Sequence, residues 1–132
     1  MTRMYVVTKK ETFKEEDTDT IFAITYHVST YEKALLLAAY EVVKHVYDNS
    51  FLHSQYSVDD VHYLLSEDPK KILMWLTDTG SEFFKSYNMA FEVWVHLETN
   101  TGEQEVEITT QDLKEISNRL QKKLLGKNTA EG

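Results

Sequence analysis

One segment limits the fold of this chain more than any other. From Met89 to Glu98 the residues alternate for ten positions, with Met89, Phe91, Val93, Val95 and Leu97 on one side and Ala90, Glu92, Trp94, His96 and Glu98 on the other. Successive side chains of an extended strand point to opposite faces, so this period of two describes a strand with one packed face and one different face. Thr99-Asn100-Thr101-Gly102 follows as a turn signal. Gln104, Val106 and Ile108 then resume the inner side, with Glu103, Glu105 and Glu107 outward. The pattern predicts a hairpin between Met89–Glu98 and a strand ending near Ile108.

A second hairpin is predicted at the start of the chain. Met4–Thr12 carries the β-formers Tyr5, Val6 and Val7, and the polar run Lys14–Thr20 reads as a turn. In Ile21–Val28 the residues Phe22, Ile24, Tyr26 and Val28 share one face, and Ile21, Ala23, Thr25 and His27 the other.

Between and after the hairpins the period changes to that of helices. Ser29 and Glu32 have the spacing of a capping box, which starts a helix from about Thr30 to Tyr47. Leu35, Ala38, Ala39, Val42 and Val46 form one stripe and Leu36, Tyr40, Val43 and Tyr47 the next, while Glu41, Lys44 and Asp48 mark the wet side, where Leu37 also falls. A helix this apolar is central in a fold or half buried in a subunit interface. Ser57 caps a short helix over Val58–Ser66, with Asp59 and Asp60 favourable in its first turn. Asp68-Pro69 starts another that carries Ile72, Leu73, Trp75 and Leu76; Gly80 ends it, or Ser81 restarts a turn through Phe83 and Phe84. Thr109 or Thr110 caps a last helix with the stripe Leu113, Ile116, Leu120 and Leu124, closed by Gly126 and followed by a flexible tail over 127–132. The expectation is a single α+β domain over 1–126 in the order β-β-α-α-α-β-β-α. Its four-stranded antiparallel sheet comes from two hairpins, with helices packed on one face.

Composition narrows the functional classes. A chain of 132 residues with 42% hydrophobic and 12% aromatic content builds a real core and is not a disordered tail. The lack of cysteine excludes disulfide scaffolds, thiolate metal sites and cysteine nucleophiles. The apolar runs Met4–Val7 and Ala34–Tyr40 are too short for a signal-peptide core or a membrane span, so a cytoplasmic protein without membrane contact is expected. No phosphate loop, nucleophile elbow or His-Glu-x-x-His pattern is present, and no cofactor or metal site is expected. Asp59 and His62 are i, i+3 neighbours, but aspartates belong at a helix N-terminus anyway. One enzymatic alternative remains: His27 and His96 both lie on the non-core face of a strand, and on neighbouring strands they would meet near Glu92 or Glu98 as an acid/base pair or a weak metal site.

Charge gives the functional expectation. The chain carries 14 basic and 22 acidic residues, a net charge of −8. Residues 92–112 hold Glu92, Glu98, Glu103, Glu105, Glu107 and Asp112 and no lysine or arginine. In the predicted hairpin, Glu92, Glu98, Glu103, Glu105 and Glu107 flank Trp94 and His96 on an outer sheet face. Solvent-facing strand positions are polar in any case, but an acidic face around a tryptophan also suits docking of a basic protein. Direct nucleic-acid binding is disfavoured, because the polyanion is repelled. In size and charge the chain is similar to small acidic proteins of phages and mobile elements, among them DNA mimics and anti-CRISPR proteins, although no motif carries the likeness. That similarity implies a non-enzymatic inhibitor of a nucleic-acid-handling protein. The alternative is a homodimeric accessory domain that associates through Trp94 or the broad helix.

Overall fold

The computed structural model describes residues 3–15, 17–99 and 102–125. Strand β1 (Arg3–Lys14) and strand β2 (Asp19–Val28) form the first hairpin, closed by the Glu15 N–H donating to the Thr18 carbonyl at 3.1 Å. Both strands run further into Lys14–Thr20 than the polarity of that segment predicts, leaving a tight turn. Helix α1 (Tyr31–Asp48) follows, then a tight helical turn at Ser50–Gln55, α2 (Val58–Leu64) and α3 (Pro69–Trp75). A wide turn at Leu76–Gly80 joins α3 to α4 (Ser81–Lys85). Strand β3 (Met89–Thr99) and helix α5 (Thr110–Leu125) complete the described chain.

The helix boundaries follow local chemistry. The hydroxyl that caps α1 belongs to Thr30, which accepts from the Lys33 N–H, one residue later than the Ser29–Glu32 spacing implies. Ser57 and Asp60 make the reciprocal bonds of a capping box at α2, and Asp68 caps α3 ahead of Pro69. Thr109 and Asp112 exchange bonds at the start of α5. Gly80 neither ends the helical run nor needs a special backbone angle. It is required because a Cβ there would stand 2.6 Å from Trp75 Cζ3, and the wide turn presses the backbone onto that indole.

The sheet has three strands in the order β2-β1-β3, all antiparallel, so the expected four-stranded sheet is not formed. β3 pairs along its length with β1, from Arg3–Thr99 to Phe13–Met89, rather than with the segment that follows it. That segment crosses to the far edge of the sheet. There it makes one parallel bridge, His27 with Glu105, through the Val106 N–H donating to the His27 carbonyl at 2.7 Å. Val106 and Ile108 turn inward as the alternation predicts, whereas Gln104 is exposed, and the pattern does not require a ladder. An extended segment that buries Ile108 and half-buries Val106 against the core, leaving the glutamates in water, satisfies it equally well. Asn100 and Thr101 of the expected turn, and the expected stop at Gly126 with its tail, lie outside the described residues.

Register assigns the two faces of the sheet. Tyr5, Val7, Lys9, Glu11 and Phe13 share the inner face with Val28, Tyr26, Ile24 and Phe22 of β2 and with Leu97, Val95, Val93, Phe91 and Met89 of β3. α1 packs on this face over β1 and β3, and its broad apolar surface is explained by a central position between the sheet, α3 and α5. α5 docks on α1 and lays Lys123 over the Tyr47 ring at 3.8 Å.

Candidate functional site

The outer face of the sheet is built by the alternate residues of the three strands. Across it run the rows His27–Val6–His96, Thr25–Thr8–Trp94 and Ala23–Lys10–Glu92, with Glu98 opposite Met4 at one end and Ile21–Thr12–Ala90 at the other. The face is only partly open: Met4 and Val6 at its centre are buried, whereas Glu92, Trp94, His96 and Glu98 along the β3 edge are exposed, Trp94 at 43%. Trp94 stands on an edge strand beside the Thr8–Thr25 pair, whose hydroxyls are 3.3 Å apart. His96 Nε2 lies 2.8 Å from Glu98 Oε1. A carboxylate oxygen only accepts, so that ring nitrogen carries the proton and donates.

Four of the seven candidate residues, Glu92, Trp94, His96 and Glu98, therefore share one exposed surface as the alternation implies. Glu105 and Glu107 travel with the crossing segment to the β2 edge, away from Trp94, where Glu105 bridges His27 and Lys33 of α1 lies 3.8 Å from Glu105 and 3.4 Å from Glu107. Glu103 precedes them on the same segment and is exposed. Lys10 registers opposite Glu92, so the outer face is also less acidic than a two-strand hairpin of glutamates would be. The enzymatic arrangement of His27 and His96 is overturned by strand order. They occupy the two edge strands with Val6 of β1 between them, about 10 Å apart at two strand spacings. Among the described residues no group of three or more His, Asp or Glu side chains is placed to hold a metal ion.

The inner face holds a group of charges that the sequence reading missed. Lys9 Nζ donates to Glu41 Oε2 at 3.0 Å and lies 3.6 Å from Glu11 Oε1. His45 Nδ1 donates to the same Glu11 oxygen at 3.2 Å, and the imidazole stacks on Phe91 at 4.0 Å with the edge of Phe84 against it. Glu41 is only 3% exposed, and Leu37, assigned with it to the wet side of the helix, is buried too. The hydrogen bond from His45 is the main reason that Glu11 ionises below its ordinary range; burial opposes the shift, and the Lys9 charge adds to it. For Lys9, burial pushes the ammonium down, but Glu41 and Glu11 outweigh it and leave it above the ordinary value. Burial, and then the neighbouring Glu41 carboxylate, raise Tyr26. The signal for this cluster was available: Lys9 and Glu11 interrupt the otherwise apolar inner row Tyr5, Val7 and Phe13, and Leu37, Glu41 and His45 recur at helical spacing of four. A cavity of about 350 Å³ opens beside Glu41, with Tyr26, Tyr40, Lys44, Val106 and Asp112 in its walls.

Comparison of the chain with protein-family models, curated proteins and solved structures finds no match. The α+β class rests on the helices and antiparallel sheet described above, and none of the described helices is long and apolar enough to cross a membrane.

Proposed function

We propose that the protein is a non-enzymatic binding module that docks a basic protein partner on the outer face of its sheet, with Trp94 as the anchor. One observation carries the reading: α1 and α4, the described helices with substantial contact to the sheet, pack on its inner side, while the β3 edge of the opposite face holds a half-exposed tryptophan in a row with the exposed Glu92, His96 and Glu98. An exposed tryptophan offers a large rigid apolar contact, and such residues dominate binding energy where they enter a partner's pocket. Glu92 and Glu98 on the same strand, with the net charge of −8, favour a surface rich in lysine or arginine and speed its approach at low salt. A nucleic-acid-handling protein has such a surface, and an acidic module seated on it would act by occlusion.

The test is capture of partners from a cognate lysate at low and high salt, with the wild type, Trp94→Ala and the pair Glu92→Gln/Glu98→Gln as baits. The proposal predicts a partner that is lost with Trp94→Ala and weakened by salt and by the double neutral variant. A partner retained equally by all three baits would place the docking surface elsewhere.

A further inference from the structure

β2 is an edge of the sheet, and one bond tells which of its peptide groups face outward. In an antiparallel strand the N–H and C=O of a residue point to the same side, and the side alternates along the chain. The His27 carbonyl accepts from Val106 on the outer side, so Thr25, Ala23 and Ile21 also turn their peptide groups outward, while Tyr26, Ile24 and Phe22 bond to β1. The hairpin closure agrees, because Thr18 faces β1 through the Glu15 bond. Among the described residues no strand continues the outward ladder before His27.

Natural edges are guarded by lysine, proline, bulges or covering segments. The stretch Ile21-Phe22-Ala23-Ile24-Thr25-Tyr26 has neither lysine nor proline and no charge at all. It is apolar on both sides: Ile21 is 56% exposed on the outer face, and Phe22 and Ile24 are 56% and 44% exposed on the helix side, because α1 lies over β1 and β3 and leaves β2 overhanging.

We propose that this edge pairs with the same edge of a second copy, antiparallel about a two-fold axis at Phe22, to give a continuous six-stranded sheet. The strand is complementary to itself in that register. Phe22 meets its own counterpart across the axis, Ile21 exchanges ladder bonds with Ala23, and Asp19 falls opposite Thr25. The charges select this arrangement. Antiparallel pairing holds the two acidic turns, with Glu15, Asp17 and Asp19, at opposite ends, whereas parallel pairing would set them side by side. Pairing also stops short of the His27 carbonyl that Val106 already occupies. Residues 19–25 span about 24 Å of strand at roughly 3.4 Å per residue. Their two faces supply a contact at or below the roughly 800 Å² per partner of a standard interface, so the dimer is a weak one.

Sedimentation of the full chain from about 1 µM to about 500 µM tests this, with dissociation expected on the order of 10–100 µM. Amides of Ile21 and Ala23 should gain protection from hydrogen exchange as concentration rises. Added salt should strengthen the dimer, because both copies carry −8, the opposite of its effect on docking of a basic partner. Phe22→Lys places two lysines face to face at the axis and should give a monomer throughout the range. Ile21→Lys, on the other face, should do the same and serves if Phe22→Lys disturbs the hairpin. A wild type that stays monomeric at every concentration overturns the proposal, as does a dimer that either folded variant leaves intact.

Discussion

The two faces of the sheet use charge in opposite ways. On the inner face Lys9, Glu41, Glu11 and His45 are largely drawn out of water and bonded to one another, with His45 Nε2 left without a partner. On the outer face Glu92, His96 and Glu98 remain in water beside an indole that no described helix covers. Desolvated charges are costly unless paired, so the inner group is bound to its geometry and ties one register of β1 to one rotation of α1. Exposed charges are nearly free to change, so the outer group is where a sequence can be shaped for a partner without loss of fold. Stability is therefore assigned to the inner face, and it is to the outer that the proposal gives recognition.

That division is open to attack by substitution. The largest expected effect is from Glu41→Leu, which removes the nearer carboxylate of Lys9 and leaves it only Glu11 at 3.6 Å, and should cost on the order of 3 kcal/mol in urea or thermal unfolding. The pair Lys9→Met/Glu41→Leu should recover most of that loss, because the charge and its partner leave together. If the double variant is as unstable as the single one, the ion pair is not the reason for the loss.

A smaller effect is expected from pH. Glu11 ionises below its ordinary value of 4.5 in the folded chain, so its contribution to stability is complete above that value and is lost as pH falls through the lower, folded one. Lys9 behaves in mirror image: held above 10.5, it contributes fully below that value and fades only as pH rises past it. Unfolding measured from neutral pH into acid should steepen below about pH 4.5, and Glu11→Gln should flatten that limb. An acid limb unchanged in Glu11→Gln would remove Glu11 from the account.

The smallest effects on stability belong to the outer face. Glu92→Gln/Glu98→Gln should shift unfolding by no more than about 0.5 kcal/mol. Trp94→Ala, which loses a half-exposed side chain on an edge strand, should cost about 1 kcal/mol or less.

Much of this contrast was legible in the sequence, and the rest was hidden for definite reasons. The ten-residue alternation placed Glu92, Trp94, His96 and Glu98 on one exposed surface, because the direction of a side chain from a strand depends only on local geometry. Ser57, Asp68 and Pro69 likewise marked their helix starts through bonds a few residues long. Strand partners were not legible. β3 sits beside β1, some eighty residues earlier, and the local turn signal at Thr99–Gly102 favoured the nearer segment instead. The same blindness hid the inner charges. Glu41 looks solvated from its own helix, and only the arrival of Lys9 from the first strand makes a buried carboxylate tolerable there.

The claim that recognition belongs to the outer face is tested most directly by one pair of numbers for one variant: the affinity of Trp94→Ala for the partner captured at low salt, and its unfolding free energy. The account predicts binding at least about 30-fold weaker, the loss expected of an interface anchor worth about 2 kcal/mol, with stability within about 1 kcal/mol of the wild type. Undiminished affinity in a folded Trp94→Ala protein would contradict it.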